Sequence, residues 1–547
     1  MSQSIARFYP NTDIHVEQSV LDFVKDRCQR YAEKTAIIDA RLGLQWSFAA
    51  LFTRVKQLRA FLLRNGVSSG EHVAIHAYNG IETYTSIWAI ACVPAVAVLI
   101  RPSFKYRETK SVLSISQCST VITDIDHLVT VLTIQEKLNA IKKIFVIGDS
   151  DTRYPSVSQL FRSTPMEDDE VRNEFDGEPS RDLSKTTVFM VPTSGTTGRP
   201  KLVEHTHRSY LSSFHIGDPY MNVFCRNDVL VTWASLTHVT GVWKMGGCLH
   251  AGAALVVTRF DNLPTYDDMR TICNRYQVTT FMIFPTMSRV ILMNANGEPT
   301  MSVRNIICAG SRATPGLEHL MRRWFPNLKQ LRNLLGQTEA MIYVSITPSG
   351  EFDLRSIGYP PSNCQLRLLD TETGEEVASG EIGEIVIKSP SLMKGYFQNP
   401  CETSAVFTED GWLKTGDLAY QDSVTGRYYY VDRIKEMIFC KDNRIYPGEL
   451  EIVLMEHMCV AEAAVIGVPH PAIGEAPAAL VELKNGTQPS EQLRKEIADL
   501  VESQLASFKV LYGGVHFVER LPRTELNKVA RRRLRELLPD IAPAYAR

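Results

Sequence analysis

From about residue 35 to 310 the chain alternates between two kinds of apolar run. Long amphipathic stretches such as Phe48 to Gly66, "FAALFTRVKQLRAFLLRNG", recur at helical spacing and predict helices. Short runs rich in β-branched residues predict buried strands: His72 to Ala77, Thr186 to Val191, Ala253 to Thr258 and Thr279 to Phe284. Helix–strand alternation predicts a layered α/β fold with largely parallel sheets. The longest apolar run, Ile87 to Ile100, contains Pro94 and is shorter than the roughly 20 residues a membrane span needs. It predicts a buried helix, a break at the proline and a buried strand. No repeat of solenoid length is visible.

The texture changes near residue 350. Short strands such as "CQLRLLD", "GEIGEIVIKS" and "GRYYYVD" are separated by Gly and Asp, which predicts an antiparallel, β-barrel-like section. Beyond Asp432 comes a compact α+β piece with strands at Ala463 to Pro469 and Ala476 to Leu483 and an amphipathic helix from Ser490 to about Leu505. The charged segment Val431 to Glu436 lies between apolar stretches and marks the boundary, giving domains 1–431 and 432–547.

Composition narrows the class. The 547 residues are 44% hydrophobic and 22% charged with net charge −2, an ordinary globular balance with no global attraction to nucleic acid. The basic run Lys528 to Arg535, "KVARRRLR", reads by itself as a solvated helix face. Eleven cysteines without CxxC spacing cannot all pair, so free thiols in a reducing compartment are expected. The N-terminus has no apolar signal core and the C-terminus, "AYAR", is not a peroxisomal address, so the expected location is cytoplasmic.

Pro192 to Lys201, "PTSGTTGRPK", follows a core strand yet contains almost nothing that packs. Glycines let backbone amides approach a phosphate, hydroxyls add donors, and Arg199 and Lys201 supply charge. A polar turn has the same composition. The segment is not a Walker A loop, because Arg199 and Pro200 separate Gly198 from Lys201.

"TSGTTGRPK" resembles the phosphate loop of the adenylate-forming superfamily: acyl-CoA synthetases, 4-coumarate–CoA ligases, firefly-type luciferases and non-ribosomal adenylation domains. Other segments resemble the family's motifs in order. They are "SLTHVTG" (235–241), "CAGSRATP" (308–315), "LLGQTEA" (334–340), "GEIGEIVIKSPSLMKGYFQNP" (380–400), "GWLKTGDLA" (411–419), "YVDRIKEMI" (430–438) and "LPRTELNKVARRRL" (521–534). The resemblance covers about residues 20 to 540 and implies a large nucleotide-binding domain with a small mobile C-terminal domain.

The roles that follow are implied by that resemblance. Thr193, Ser194, Gly195, Thr196, Thr197, Gly198 and Lys201 cradle the phosphates of ATP; Gly310, Ser311 and Arg312 flank adenine, with Leu335, Gly336 and Gln337 beside them. Asp417 accepts from the ribose hydroxyls, backed by Arg433, with Tyr429 and Lys435 nearby. Glu339, after Thr338, holds Mg²⁺, an ion that takes one or two carboxylates. His238 lies on the acyl side, and Lys528 bridges the reacting carboxylate and the α-phosphate. Taken singly, Asp417 is equally a turn residue, Arg433 a surface ion-pair partner, Glu339 a helix-start carboxylate, Lys528 a basic helix start and His238 a packed histidine.

The implied reaction is activation of a small carboxylic acid to acyl-AMP with pyrophosphate release, then transfer to coenzyme A, with ATP, Mg²⁺ and coenzyme A as cofactors. The implied hinge is Asp432. Three positions depart from the family pattern. Leu335 stands where a tyrosine usually stacks on adenine, Asp442 replaces a glycine after the hinge, and Asn527 replaces the glycine before the lysine. "SLTHVTGVWK" has no carboxylate for an α-amine, which argues against an amino-acid substrate. Phe281, Ile283 and Thr286 are expected to line an apolar or aromatic pocket. Luciferase-like chemistry, adenylation alone and non-catalytic ligand binding are the alternatives.

Overall fold

The computed structural model describes residues 16–149, 153–163, 182–193, 200–215, 223–260, 264–310, 312–313, 316–440, 443–470, 473–506, 509–524 and 528–537. Ser194, Gly195, Thr196, Thr197, Gly198, Arg199, Ser311, Asp442 and Asn527, and the side chain of Thr286, lie outside the described residues. Among the described residues no helix is long and apolar enough to cross a membrane.

Two mostly parallel sheets form the large domain. The first runs in the order Gly395–Tyr396, Lys201–Thr206, Thr187–Thr193, Val96–Ile100, His72–His76, Thr120–Asp124, Lys143–Ile147. The second runs Ser345–Ile346, Gln330–Leu335, Asn305–Ala309, Thr280–Ile283, Val229–Thr232, Ala254–Val257, Thr35–Asp39, Leu44–Ser47. The run 87–100 folds as read: the helix Ile81–Cys92, Pro94 in the break, then the buried strand Val96–Ile100. The helices Phe48–Arg64, Ile81–Cys92 and Val239–Ala251 bury apolar faces in one continuous core with both sheets. At roughly 25 cal/mol per Å² of apolar surface, burial of that extent is the dominant favourable contribution to folding.

Strands Gln365–Leu369, Ile382–Lys388, Leu413–Gln421 and Tyr428–Arg433 form a four-stranded antiparallel sheet. Tyr428–Arg433 ends that sheet, and Ile438–Cys440 opens the next. The last sheet pairs Val460–His470 with Gly474–Leu483, backed by the helix Glu491–Gln504 over its own apolar cluster. Most of the cysteines are buried, and none of the eleven is in a disulfide.

Parallel strands aim their carboxyl ends one way, and ligands of open α/β sheets bind outside those ends. Here Thr193 ends its strand in the first sheet, and Thr232, Ala309 and Leu335 end theirs in the second.

Candidate active site

The strands either side of the Gly/Thr-rich loop pair antiparallel as far as Thr193 opposite Lys201. The loop therefore joins two adjacent strand ends. The Lys201 ammonium forms an ion pair with Glu402 and lies 4.8 Å from the centre of the Tyr396 ring. The Tyr396 hydroxyl donates to Glu339 Oε1 at 2.9 Å. Burial first, then the Glu339 carboxylate, raises the Tyr396 pKa, so the hydroxyl stays a donor.

Glu339 sits in a short 3₁₀ turn, Thr338–Ala340, which follows the strand Gln330–Leu335. Gly336 makes the entry to that turn possible, because a Cβ there would lie 1.9 Å from the Ile342 carbonyl oxygen. His205, on the first sheet, is fully buried and its Nε2 contacts the Thr338 carbonyl at 2.8 Å. Burial lowers its pKa to about 4, so the ring is neutral and Nε2–H is the donor. The Glu339 turn is thus braced from the opposite sheet.

Asp417 and Arg433 occupy opposed positions on antiparallel strands. Arg433 Nε approaches Asp417 Oδ1 to 2.8 Å, but off the line of a hydrogen bond, which leaves the oxygen without an aligned donor. Asp417 is 2% exposed. Burial raises its pKa, against the opposing pull of Arg433 and Lys528. Two further buried polar atoms lack partners nearby, Gln337 Nε2 and Arg312 Nη1, although Arg312 Nη2 donates to the Tyr430 carbonyl at 2.7 Å. One orphaned acceptor and two orphaned donors suit a polar ligand such as a nucleoside.

Lys528 reaches this cluster from the small domain. Its turn is held by Thr524 N–H donating to the Lys528 carbonyl at 2.7 Å, by Ala530 N–H to the Pro522 carbonyl at 2.8 Å and by an ion pair of Arg523 with Glu462. Gly310 has φ +86°, and a Cβ there would meet the Phe284 ring at 2.7 Å and Lys528 Cε at 3.8 Å. Burial lowers the Lys528 pKa to about 8, helped by Arg433, Arg101 and Lys435 and opposed by Asp417. Lys435, in the 3₁₀ turn after Arg433, is exposed but close enough to contribute.

His238 caps the helix Val239–Ala251, its Nδ1 accepting from Thr240 N–H at 3.3 Å. Burial, then Arg101, Lys528 and Lys244, push its pKa well below the usual histidine value. It is a neutral packing and capping residue beside the cationic cluster, not an acid–base group at neutral pH.

Tyr429, Phe281 and Ile283 do not join this cluster. Tyr429 stacks on Tyr420 with ring centres 5.2 Å apart, and it is Tyr430 whose hydroxyl lies beside Arg433 and Asp417. A register shift between Leu418 and Ala419 sets which tyrosine faces the pair. Phe281 and Ile283 pack inside a second core cluster, with Phe281 against Trp233 and Phe325, and the ring that reaches the site is Phe284. Leu335 is partly buried against the main core at the end of its strand. His205, Tyr396, Arg101 and Tyr430 did not emerge from sequence as site residues. For Tyr396 the signal was its place in the segment 380–400, and for Tyr430 its place in "YVDRIKEMI".

Comparison with known proteins gives this geometry a family. Residues 24–397 match the family "AMP-binding enzyme", and residues 449–528 match "AMP-binding enzyme C-terminal domain". The chain belongs to the AMP-binding enzymes. It is 28% identical to the luciferin 4-monooxygenase of Photinus pyralis over 542 residues, 97% of this chain and 96% of that protein. It is also 28% identical to the 4-coumarate–CoA ligase of Pinus taeda over 545 residues, again 97% and 96%. The solved o-succinylbenzoate-CoA synthetase of Bacillus subtilis, in complex with its acyl-adenylate intermediate, superposes with TM-score 0.78 at 27% identity, over 95% of this chain and 98% of that one. The anthranilate-CoA ligase AuaEII, in complex with anthranoyl-AMP, has TM-score 0.86 at 24% identity, over 97% and 99%, which speaks to the fold. The large N-terminal and small C-terminal domains of this AMP-binding enzyme are those of the adenylate-forming fold.

Proposed function

We propose that the protein activates a carboxylic acid with ATP and transfers the acyl group to coenzyme A. The observation that carries this reading is the position of Lys528. A lysine of the small domain sits against Gly310 and within electrostatic reach of the Asp417–Arg433 pair of the large domain.

In the first half-reaction a carboxylate oxygen attacks the α-phosphorus, the bond to the bridging oxygen of the β-phosphate breaks, and pyrophosphate leaves. Two anions must approach, so fixed positive charge is the main requirement. Lys528 supplies it between them, with Arg433 and Arg101 adding to the same field. Asp417 Oδ1 receives the ribose hydroxyls, and Arg312 and Gln337 offer donors to the base and sugar. The β- and γ-phosphates are expected beside Thr193 and Lys201, the paired ends of the strands that the loop joins, where a phosphate would displace Lys201 from Glu402. Glu339, oriented by Tyr396, is the side chain that would hold Mg²⁺, which shields the phosphate charge when bound. Among the described residues no group of three or more His, Cys, Asp or Glu side chains could hold a metal by itself, so one carboxylate with the phosphates as the other ligands is the arrangement proposed. In the second half-reaction the coenzyme A sulfur attacks the acyl carbon, the carbon–oxygen bond to AMP breaks, and the thiol proton passes to solvent. The junction at Asp432 to Lys435 lies between the two sheets, and the reading puts the re-orientation of the small domain between the halves there.

Pyrophosphate release over a panel of carboxylic acids tests the first half, and AMP release that requires coenzyme A tests the second. Acid-dependent pyrophosphate without a coenzyme A requirement leaves adenylation alone. Light emission in oxygen indicates the chemistry of the luciferin 4-monooxygenases, which are as similar in sequence as the ligases. Failure of every acid to release pyrophosphate sinks the reading.

A further inference from the structure

Lys244 is 1% exposed and lies two turns into the helix that His238 caps. Its ammonium donates to the Met282 carbonyl at 3.2 Å and to Thr232 Oγ1 at 3.4 Å. Both acceptors are uncharged, and among the described residues no carboxylate pairs with it. An ammonium carries three N–H groups, so one is left unspent. Burial lowers its pKa to about 8, which still leaves it mostly protonated at neutral pH. A buried charge without a counter-ion is costly, and helix tethering alone needs no charge. Cys248, one turn on, is also buried with its pKa raised, so it stays a neutral thiol and supplies no anion.

The position of this cation is informative. Thr232 and Met282 are at the carboxyl ends of neighbouring parallel strands, the edge on which the site is built. Two residues beyond Met282 the chain reaches Phe284, whose ring lies against Gly310 beside Lys528. Lys528, Arg101 and Lys244 all act on His238. An acid held by its carboxylate at Lys528 and lying along the His238 helix would point its far end towards Lys244. The alkyl tail of a simple acid would seal the ammonium from water without neutralising it. A second carboxylate would neutralise it and use the spare N–H.

We propose that Lys244 is a specificity-determining residue that receives the second carboxylate of a dicarboxylic acid, whose first carboxylate is activated at Lys528. This rests on the adenylating reading above. The test is isothermal titration of the full chain with matched pairs: butyrate and succinate, hexanoate and adipate, octanoate and suberate, benzoate and terephthalate. In the wild-type protein the diacid of at least one pair is expected to bind about tenfold or more tightly than its monoacid. Lys244→Met, of similar volume, is expected to abolish or invert that preference. Lys244→Gln retains a polar donor without the charge and is expected to behave likewise. Equal or weaker binding of every diacid, or no diacid binding at all, overturns the proposal. So does a diacid preference that neither substitution changes, since a merely structural lysine would shift the melting temperature and leave the ratio alone. Pyrophosphate release with the same acids reads the parent reaction separately. Release with monoacids alone overturns the subsite and leaves adenylation standing; Lys244-dependent diacid binding with no release sinks adenylation and leaves the subsite.

Discussion

The proposed reaction concentrates its chemistry in the Lys528 ammonium, so removal of that group has a definite expected signature. Lys528→Ala is expected to reduce acid-dependent pyrophosphate release by about 10²–10³-fold, the range for loss of one preorganised stabilising donor. Thioester formation from chemically supplied acyl-AMP is expected to fall far less, because no phosphate charge is being created then. Its pKa of about 8 gives a second signature. The competent form is protonated, so kcat/KM for adenylation is expected to hold below about pH 8 and to drop roughly tenfold per unit above it. In Lys528→Arg the guanidinium stays charged and that alkaline limb is expected to vanish, at a lower plateau. His238, whose pKa lies well below the usual value, adds no limb near neutrality. Initial rates across pH 6–10 check both statements. At this scale Asp417, Arg433, Glu339 and Lys528 could be singled out as candidates, because their neighbours in sequence mark them, and the fold brings them near one another. Lys244, His205 and Tyr396 were not, because a lysine inside "VTGVWKMGGCL" or a histidine in a strand carries no local mark of what it will face.

Elements decide whether those groups meet. The strand Gln330–Leu335 must turn sharply to present Glu339, and Gly336 is where it turns. Gly336→Ala would place a methyl 1.9 Å from a carbonyl oxygen, and the backbone on both sides would have to shift. The expected result is a loss of about 1–3 kcal/mol in urea unfolding, with the KM for ATP raised by displacement of the Glu339 turn. Gly350, with open space around its Cβ but φ +83°, is the control that costs only local backbone strain. Helix and strand existence could be read from periodicity along most of the chain, including the helix–break–strand at 81–100. Register could not. The shift between Leu418 and Ala419 is invisible in "GWLKTGDLA", and it determines that Tyr430 rather than Tyr429 joins the Asp417–Arg433 pair. The depth of Phe281 and Ile283 was misjudged for a related reason: alternation says which residues share a face, not which face meets the ligand.

Across the whole molecule, the proposed reaction depends on a small domain that has apolar clusters of its own. The Lys528 turn is anchored by Leu521 and Leu534, which pack with Ala464, Ile466 and Leu480 in a cluster confined to the small domain. Leu534→Ala is expected to cost about 2–5 kcal/mol there. ATP affinity, set by the large domain, is expected to change by less than about threefold, while pyrophosphate release falls with the fraction of small domain folded. Calorimetric unfolding with ATP titration on the same variant separates the two, and a parallel loss of nucleotide binding would contradict the division of labour. The strand Tyr428–Arg433 has a further consequence. Its last residue contacts Asp417, and the polypeptide leaves that residue directly for the small domain. The rung proposed to grip the sugar is also the final rung before the mast begins. On the proposed reading, whatever occupies the sugar's place loads the base of the mast, so the lean of the small domain is expected to follow the presence of spent AMP, and shedding AMP is expected to free the chain to begin another cycle.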